Sequence, residues 1–275
     1  MAVDLRVMSY NIRYDNPNDG ENVWRERRDK IANAIRFHKP GVVGLQEALH
    51  AQLQDLSERL PGYEWLPAGR KEVENAGEYA AIGYDRDRFN LEREGIFWLS
   101  ETPDEPGSVG WDANLPRLAH YVELREQFTD VTFWHFNTHF DHAGEESRLN
   151  AAKLLLHRID GLVPDDPVVI TGDFNCRAGS PPYVRLTGRT QSSRGRTLRD
   201  SHRYSKYGHH GPETSMTDFS NLIPDKKIDH VFVSSDVEVV LHGILSDAYA
   251  SGRYASDHLP VVADVSLPEL NDTSR

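Results

Sequence analysis

The chain has little of what secreted and membrane proteins depend on. It contains one cysteine, Cys176, among 275 residues, so no disulfide can form within it. No apolar run approaches the roughly 18 residues that a membrane-spanning helix requires, and we expect no integral membrane segment. A strand-like segment begins soon after Met1, without the charged and apolar regions of a signal peptide. We therefore expect a cytoplasmic protein. We also expect it to be a monomer.

Positive charge is also scarce. The formal net charge is −12, and only seven of the 31 basic residues are lysines. Binding to duplex DNA depends on lysines and arginines that displace counterions from phosphates, so we expect only weak binding to duplex DNA. The planar arginine fork suits phosphate well, although a general compositional bias is the preferred explanation of the arginine excess.

What the chain does have is enough apolar material for a large core. Apolar residues make up 38% of it and are spread along its length, which is typical of globular proteins. A chain of this length can form one large domain. We predict a single domain over residues 1–270, followed by a frayed tail at residues 271–275.

Hydrophobic periodicity predicts helices and strands that alternate along the chain. Helices are predicted at residues 24–38, 50–60 and 145–159. Strands are predicted at residues 5–10, 42–45, 63–66, 79–84, 96–99, 119–124, 131–138, 168–171, 228–233, 237–245 and 261–265. Residues 101–116 are predicted to form a long loop, and residues 178–221 a loop-dominated surface around one or two short strands.

Six short stretches place carboxylate, amide or imidazole groups at the end of an apolar strand. They are residues 9–13 (Ser-Tyr-Asn-Ile-Arg), 45–48 (Leu-Gln-Glu-Ala), 137–139 (Asn-Thr-His), 171–175 (Thr-Gly-Asp-Phe-Asn), 227–230 (Lys-Ile-Asp-His) and 256–260 (Ser-Asp-His-Leu-Pro). Strand ends that meet at one rim of a sheet create a polar site above a packed core. A turn or helix cap explains any single stretch equally well, but the whole set favours a metal-assisted hydrolase.

The residue types favour Mg²⁺ or Mn²⁺ over zinc. Hard cations take oxygen ligands, which Glu47 and Asp257 supply. The 13 histidines do not include a His-Glu-x-x-His motif, and a single cysteine is available. The usual zinc motifs are therefore missing from the sequence.

In type and order, the six stretches resemble the signature motifs of the endonuclease/exonuclease/phosphatase superfamily over residues 3–266. Residues 23–28, 77–79, 97–103 and 115–117 are similar to a microbial branch that lies closer to nocturnin-like deadenylases than to deoxyribonuclease I. The resemblance implies an α/β fold, a four-layered sandwich in which two mainly antiparallel β-sheets face each other and are flanked by helices.

The same resemblance implies a metal-binding group of three residues. Glu47 corresponds to the principal metal ligand, and Asp257 to a further carboxylate on the metal side. Asn11 corresponds to an amide that orients the metal or the phosphate, so it is a candidate for both metal and substrate binding.

Five residues are implied to be catalytic. Asp173 and Asn175 correspond to the pair that positions the attacking water and the transition state. His258, oriented by Asp229, corresponds to a His-Asp dyad, and His139 to a phosphate-binding histidine. A histidine held by a carboxylate has a raised pKa and a fixed tautomer, which suits both a base and a cationic phosphate clamp.

Two further side chains are candidate substrate contacts. Arg117 lies between a loop and a strand and is suited to phosphate, although a surface salt bridge is an equal alternative. Trp111 lies in the long loop, where it can stack on a substrate, whereas Trp98 and Trp134 are expected to pack in the core or rim. The adjacent His209–His210 pair lies near or in a loop, where an extra metal or substrate contact is one alternative and solvated loop histidines are the preferred account.

These observations predict a divalent-metal-dependent phosphohydrolase. The favoured substrates are phosphodiesters, in single-stranded nucleic acid, nucleotides or another small diester. The alternative is a phosphatase of sugar, inositol or lipid head-group phosphates, which a closed basic pocket formed by residues 101–117 and 178–221 would favour over an open groove. A catalytically inactive scaffold is less favoured, because every motif position holds a competent residue.

Overall fold

A computed structural model describes residues 3–70, 77–188, 197–249 and 252–268. The strands are β1 (Val3–Asn11), β2 (Val42–Gln46), β3 (Tyr63–Leu66), β4 (Ile82–Asp85), β5 (Phe89–Trp98), β6 (Leu118–Glu126), β7 (Thr132–His139), β8 (Val168–Asp173), β9 (Leu198–Asp200), β10 (His209–His210), β11 (Asp229–Ser234), β12 (Glu238–Ile244) and β13 (Val261–Leu267). The helices are α1 (Trp24–His38), α2 (His50–Arg59), α3 (Glu145–Leu162), α4 (Pro181–Thr187) and α5 (Ser201–Tyr204), with a short 3-10 helix at Pro17–Asn22.

The strands pair into two sheets. A seven-stranded sheet has the order β10-β12-β13-β1-β2-β4-β3, and a six-stranded sheet the order β5-β6-β7-β8-β11-β9. Most pairs are antiparallel, but β1 with β2, β10 with β12 and β7 with β8 are parallel. The expectation of two mainly antiparallel sheets is confirmed.

Four layers of secondary structure enclose three apolar regions. The inner faces of the two sheets pack against each other through residues such as Val7 and Phe133. The outer face of the seven-stranded sheet packs against α1 and α2, where Ile31 is buried. The outer face of the six-stranded sheet packs against α3 and α4, where Leu155 and Tyr183 are buried. Each element thus buries its apolar face against a neighbouring layer, which confirms the four-layered α/β sandwich.

Helix α1 has the bounds that its periodicity predicts. Trp24, Ile31 and Ile35 are buried on one face. The helix ends where Lys39 adopts a left-handed conformation with φ 47°, and its backbone N–H donates to the Ile35 carbonyl. Pro40 follows and cannot continue the helix.

Residues 178–221 contain more regular structure than was predicted. They include α4, β9, α5 and β10. Helix α4 begins with Pro181 and Pro182 directly after Ser180, and proline at the first helical position is a recognised start signal. Its seven residues carry too little periodicity to predict a helix, and the burial of Tyr183 and Leu186 beneath the six-stranded sheet stabilises it.

A buried polar cluster connects the two sheets below one edge of the sandwich. The Asn137 side-chain nitrogen donates to the carbonyls of Leu45 at 2.8 Å and Ala81 at 2.9 Å, both on the facing side. Its oxygen accepts from Gln46 Nε2 at 2.7 Å and Thr171 Oγ1 at 3.0 Å. Because buried polar groups require partners, these bonds restrict how the two sheets can shift relative to each other.

Among the described residues, no helix is both long enough and apolar enough to cross a membrane. The tail at residues 271–275 lies outside the described residues. The single domain, the monomeric state and the cytoplasmic location stay predictions.

The buried polar cluster around Asn137 leaves no space for a side chain at Gly44. An added Cβ there would overlap the Thr171 hydroxyl and the Asn137 carboxamide. We expect Gly44→Ala to lower the free energy of unfolding by about 1–3 kcal/mol, the usual cost of overpacking. The matched control is Gly62→Ala, because a Cβ there meets nothing within 4 Å, and its effect should stay below about 0.5 kcal/mol. Urea unfolding followed by tryptophan fluorescence measures both variants, and equal stabilities would contradict the constraint.

Candidate functional site

Polar side chains from both sheets meet at one edge of the sandwich. Strands β1 and β2 run in parallel and pair up to Asn11 and Gln46, so that Glu47 follows at the same edge. Strands β7 and β8 are also parallel and end with the paired residues His139 and Asp173. The ends of two parallel strand pairs therefore supply the first part of the site.

Two of the six stretches reach this edge in a way that was not predicted. Asp229 is the first residue of β11, which runs antiparallel to β8 and pairs Asp229 with Asp173. Asp257 and His258 precede β13, which runs antiparallel to β1. The prediction that all six stretches end strands is therefore wrong for these two, because antiparallel pairing brings the start of one strand beside the end of its neighbour.

The buried Asp173 carboxylate lies at the centre of the site. Its Oδ2 accepts from Asn11 Nδ2 at 3.1 Å and lies 3.4 Å from His139 Nε2 and 3.9 Å from His258 Nε2. Its Oδ1 accepts the backbone N–H of Asn175 at 2.9 Å. One carboxylate thus contacts residues from both sheets.

His258 and Asp229 form a buried pair across the two sheets. His258 Nδ1 lies 2.9 Å from Asp229 Oδ2, which also accepts from Ser215 Oγ at 2.6 Å. Burial alone would lower the pKa of His258, but the charge and hydrogen bond of Asp229 raise this pKa well above its usual value. At neutral pH the His258 imidazole is therefore a cation. Burial and repulsion by Asp229 also raise the pKa of Asp173, to about 7.

Glu47 and Asp257 supply two further carboxylates. Glu47 Oε1 accepts from Asn11 Nδ2 at 3.2 Å, and Oε2 accepts the Tyr14 backbone N–H at 3.3 Å. The backbone of Glu47 has φ 62°, a conformation that non-glycine residues adopt mainly at turns and functional sites. Asp257 Oδ2 lies 3.6 Å from Arg13 Nη1, and burial, with a contribution from Glu47, raises the pKa of Asp257.

The Asn11 amide is oriented toward the carboxylates. Its nitrogen donates to Glu47 and Asp173, while its oxygen accepts the backbone N–H of Arg13 at 3.0 Å. Only the oxygen of an amide can bind a cation. This orientation supports a role for Asn11 in positioning the carboxylates of Glu47 and Asp173. To bind a metal directly, the side-chain amide would have to flip so that its oxygen faces the cation.

Glu78, which was not predicted as a site residue, adds a carboxylate near Glu47. Potential ligand atoms of Glu47, Glu78 and His139 lie within 4.8 Å of one another. Burial and the charge of Glu47 raise the pKa of Glu78, so this group of carboxylates is strained by desolvation and mutual repulsion. An oxygen-rich group under such repulsion fits a hard divalent cation, which would relieve it.

Arg70 and Arg117 line a small recess beside His139 and Glu78. Arg117 forms a salt bridge, with its Nε 3.4 Å from Asp141 Oδ2, but this bridge is buried and does not lie at the surface as the alternative from the sequence had it. Arg70 Nη2 donates to Glu78 Oε1 at 2.6 Å, and Arg117 Nη2 lies 3.2 Å from His142 Nδ1. Arg117 Nη1 and Arg70 Nε and Nη1 are nevertheless buried without a hydrogen-bond partner among the described residues. Unpartnered N–H groups are costly to bury, and an anion would satisfy them.

The remaining candidates have different surroundings. Asn175 has φ 47°, and its side-chain nitrogen donates to the Phe140 carbonyl at 3.0 Å. Trp111 is half-buried, and its backbone N–H donates to the Glu101 carboxylate at 3.0 Å. That contact holds the loop, and the substrate role of Trp111 stays a prediction.

Some relevant residues were beyond reach of the sequence motifs. Ser215 reaches Asp229 only because the chain returns to the site after β10, and no local pattern marks it. Arg70 is likewise marked by no pattern. Glu78 lies in the Gly-Glu-Tyr stretch at residues 77–79, which resembles a microbial branch of the superfamily. That resemblance was the signal that could have identified Glu78 as a site residue.

The chain is similar in sequence and fold to known proteins. A model of the Endonuclease/Exonuclease/phosphatase family matches residues 8–258. An endonuclease/exonuclease/phosphatase from Bacteroides vulgatus is 36% identical, with a TM-score of 0.91 and coverage of 97% of this chain and 100% of that chain. A mannosyl-6-phosphatase from Bacteroides thetaiotaomicron is 34% identical, with a TM-score of 0.86 and coverage of 95% and 99%. The human Nocturnin catalytic domain, at 22% identity, a TM-score of 0.74 and coverage of 96% and 94%, shares the fold.

The charge state of His258 is directly measurable. In metal-free protein we expect Asp229→Asn to lower the His258 pKa by about 1–3 units, because the opposing charge is lost while burial remains. Nuclear magnetic resonance of the histidine ring nitrogens across a pH series measures it, with His258→Gln to assign the signals. The exposed His157 on α3 is an internal control. An unchanged His258 titration in folded Asp229→Asn would contradict the electrostatic coupling.

Proposed function

The chain belongs to the endonuclease/exonuclease/phosphatase family, and from that premise we propose that it is a divalent-metal-dependent hydrolase of phosphate esters. The resemblance inferred from its motifs is confirmed, with nocturnin among its structural relatives. Members of this family hydrolyse phosphoesters, and the chain has their fold. The metal, the substrate and the role of each residue belong to the proposal.

We infer that Mg²⁺ or Mn²⁺ binds beside Glu47. Asp257 and Glu78 are the neighbouring carboxylates, and burial, together with the charge of Glu47, raises the pKa of both. When bound, such a cation neutralises charge on phosphate oxygens and lowers the pKa of a bound water. Asn11 holds Glu47 and Asp173 in position through its amide nitrogen.

Asp173 and His258 are assigned complementary roles. Asp173, with a pKa near 7, can accept a proton from an attacking water and orient it toward phosphorus. His258 carries a positive charge stabilised by Asp229, so it suits the donation of a hydrogen bond to a phosphate oxygen better than the removal of a proton. The cation-clamp role is therefore favoured over the base role that the sequence left open.

The arginine recess favours a small phosphomonoester as the first substrate class. The buried N–H groups of Arg70 and Arg117 that have no partner among the described residues carry this choice, because a monoester offers two negative charges and several oxygens that can accept from them. The mannosyl-6-phosphatase relative at 34% identity supports it. Phosphodiesters of single-stranded nucleic acid or nucleotides remain the second candidate, favoured by the motif set and the scarcity of basic residues. An inactive scaffold is the third.

The metal is tested first. We expect hydrolysis of p-nitrophenyl phosphate or bis-p-nitrophenyl phosphate to stop in EDTA and to return with Mg²⁺ or Mn²⁺. Glu47→Gln removes the carboxylate charge and should lower kcat/KM by about 100-fold or more at limiting metal, and calorimetry should show weaker metal binding. Exposed Glu105→Gln is the matched control. Activity unaffected by EDTA, or restored by Zn²⁺ alone, would contradict the proposal, and inertness towards both esters and natural phosphates would favour the scaffold.

The substrate class is tested by comparing kcat/KM for mannose 6-phosphate and p-nitrophenyl phosphate with that for bis-p-nitrophenyl phosphate and short oligonucleotides. We expect the monoesters to react faster. Arg70→Gln should raise KM for monoesters roughly tenfold or more, since a hydrogen bond to a charged group is typically worth about 1.5–3 kcal/mol, with less effect on diesters. Exposed Arg25→Gln is the control. Faster turnover of oligonucleotides would establish the second candidate instead.

A further inference from the structure

A second group of potential metal ligands lies away from the candidate site. It consists of His202, His209, His242 and Glu213, which we call the histidine cluster. His202 lies in α5 directly after β9, the edge strand of the six-stranded sheet. His209 and His242 lie on β10 and β12 and are paired neighbours at the edge of the seven-stranded sheet. The cluster therefore joins the edges of the two sheets.

The three imidazoles are close to one another. Their ring centroids are 4.7 Å apart for His202 and His209, 5.1 Å for His202 and His242, and 5.0 Å for His209 and His242. His209 Nδ1 and His242 Nδ1 are separated by 2.9 Å, and His202 Nε2 lies 3.3 Å from Glu213 Oε2. Potential ligand atoms of His202, His209 and Glu213 lie within 4.8 Å of one another. Two ligands on a tetrahedral zinc ion lie about 3.4 Å apart, given bonds of about 2.0–2.1 Å, so these three side chains need only small movements to reach that geometry. His242 adjoins them through its contact with His209.

The hydrogen bonds define which nitrogen of His209 is free to bind. His209 Nε2 lies 3.0 Å from the Pro212 carbonyl oxygen, which only an N–H group can approach. The proton is therefore on Nε2, and Nδ1 has a lone pair directed at His242. A histidine that donates its other ring N–H to a backbone carbonyl is the arrangement found around bound metals.

His242 is not satisfied by hydrogen bonds alone. It is buried, and its Nε2 has no partner among the described residues. If Nδ1 holds the proton and donates to His209, Nε2 is left as a buried unpaired acceptor. If Nε2 holds the proton, a buried donor is unpaired and two lone pairs face each other across 2.9 Å. Either tautomer leaves a cost, and the second is favourable with a cation between the two Nδ1 atoms.

The protonation states also suit a metal. Burial, followed by the nearby charge of Lys227, lowers the pKa of His202 and lowers that of His242 to about 2. Both imidazoles are therefore neutral at physiological pH, with lone pairs available. Imidazole nitrogens with one carboxylate favour zinc or a similar transition metal over Mg²⁺, which takes oxygen ligands.

We propose that His202, His209 and Glu213, together with His242, bind a divalent transition metal of the zinc type at a site separate from the phosphohydrolase site. The expected role of the metal is structural, because it would connect the edges of the two sheets. It would also hold the segment that follows β10, in which Ser215 lies two residues after Glu213 and donates to Asp229 at 2.6 Å. The expectation that His209 is a solvated loop residue is wrong, since its side chain packs against two other histidines.

The test uses the full chain, stripped of metal and titrated with Co²⁺ and then Zn²⁺ in excess Mg²⁺. Visible absorption of bound Co²⁺ reports its ligands, calorimetry reports the stoichiometry, and thermal unfolding reports stabilisation by a ligand that binds the folded state. We expect Co²⁺ to bind, Zn²⁺ to displace it, and Zn²⁺ to raise the Tm. The same titration in Glu47→Gln separates this site from the phosphohydrolase site and should give unchanged binding.

Two variants identify the ligands. His209→Ala should weaken Zn²⁺ binding at least tenfold, whereas His210→Ala, the exposed neighbour on the same strand, should leave it unchanged. If His209→Ala fails to fold, Glu213→Gln serves, because that side chain is 77% exposed and its loss should weaken binding without unfolding. The proposal is overturned if the wild type does not bind Co²⁺ or Zn²⁺, if Glu47→Gln abolishes binding, or if folded His209→Ala and Glu213→Gln both bind as the wild type does.

Discussion

The contact between the two sheets at their common edge is the interaction on which the rest of the structure depends. Asn137 lies on one sheet and hydrogen-bonds the backbone carbonyls of Leu45 and Ala81 on the other side. Gly44 allows that close approach because it has no side chain. A shift of one sheet relative to the other would break these buried bonds, and with them every contact of the candidate site that crosses between the sheets.

The site places opposed charges in a buried setting. Asp173 at the end of β8 is paired with Asp229 at the start of β11, both are buried, and His258 is held between them as a cation. On the metal side, Glu47 repels Glu78 and Asp257 even though Arg70 and Arg13 lie beside those two carboxylates. Arg70 and Arg117 keep buried N–H groups that have no partner among the residues the structure describes. Crowded carboxylates beside unsatisfied N–H groups suit the simultaneous binding of a divalent cation and a phosphate. The same features that cost stability are therefore those that support the proposed chemistry.

Much of the fold followed from local patterns. The bounds of α1 match its periodicity, because its apolar stripe, its αL end at Lys39 and Pro40 are all local signals. Prediction was weaker where local signals were short or mixed. Strand β5 spans Phe89–Trp98, with a bulge between Leu91 and Arg93, yet only its apolar end was predicted, because its central residues 92–94 are charged and exposed. Pairing with neighbouring strands and packing stabilise such an exposed strand, and the strand propensity of its residues does not include these contributions.

The sequence by itself determined which residues are suited to the chemistry, since carboxylate, amide and imidazole groups at strand boundaries are visible from residue type and period alone. The tertiary structure decided which of them touch. Asn11 meets Asp173 across 162 positions of the chain, and Asp229 and His258 reach the site from strands that begin, rather than end, at that edge. It also added Arg70 and Ser215, which no motif indicated, and Glu78, which lies in a stretch that resembles the superfamily but was not assigned to the site. Strand direction and the separation of the sheets are set by contacts between distant residues, and such contacts leave no periodic signal in the chain.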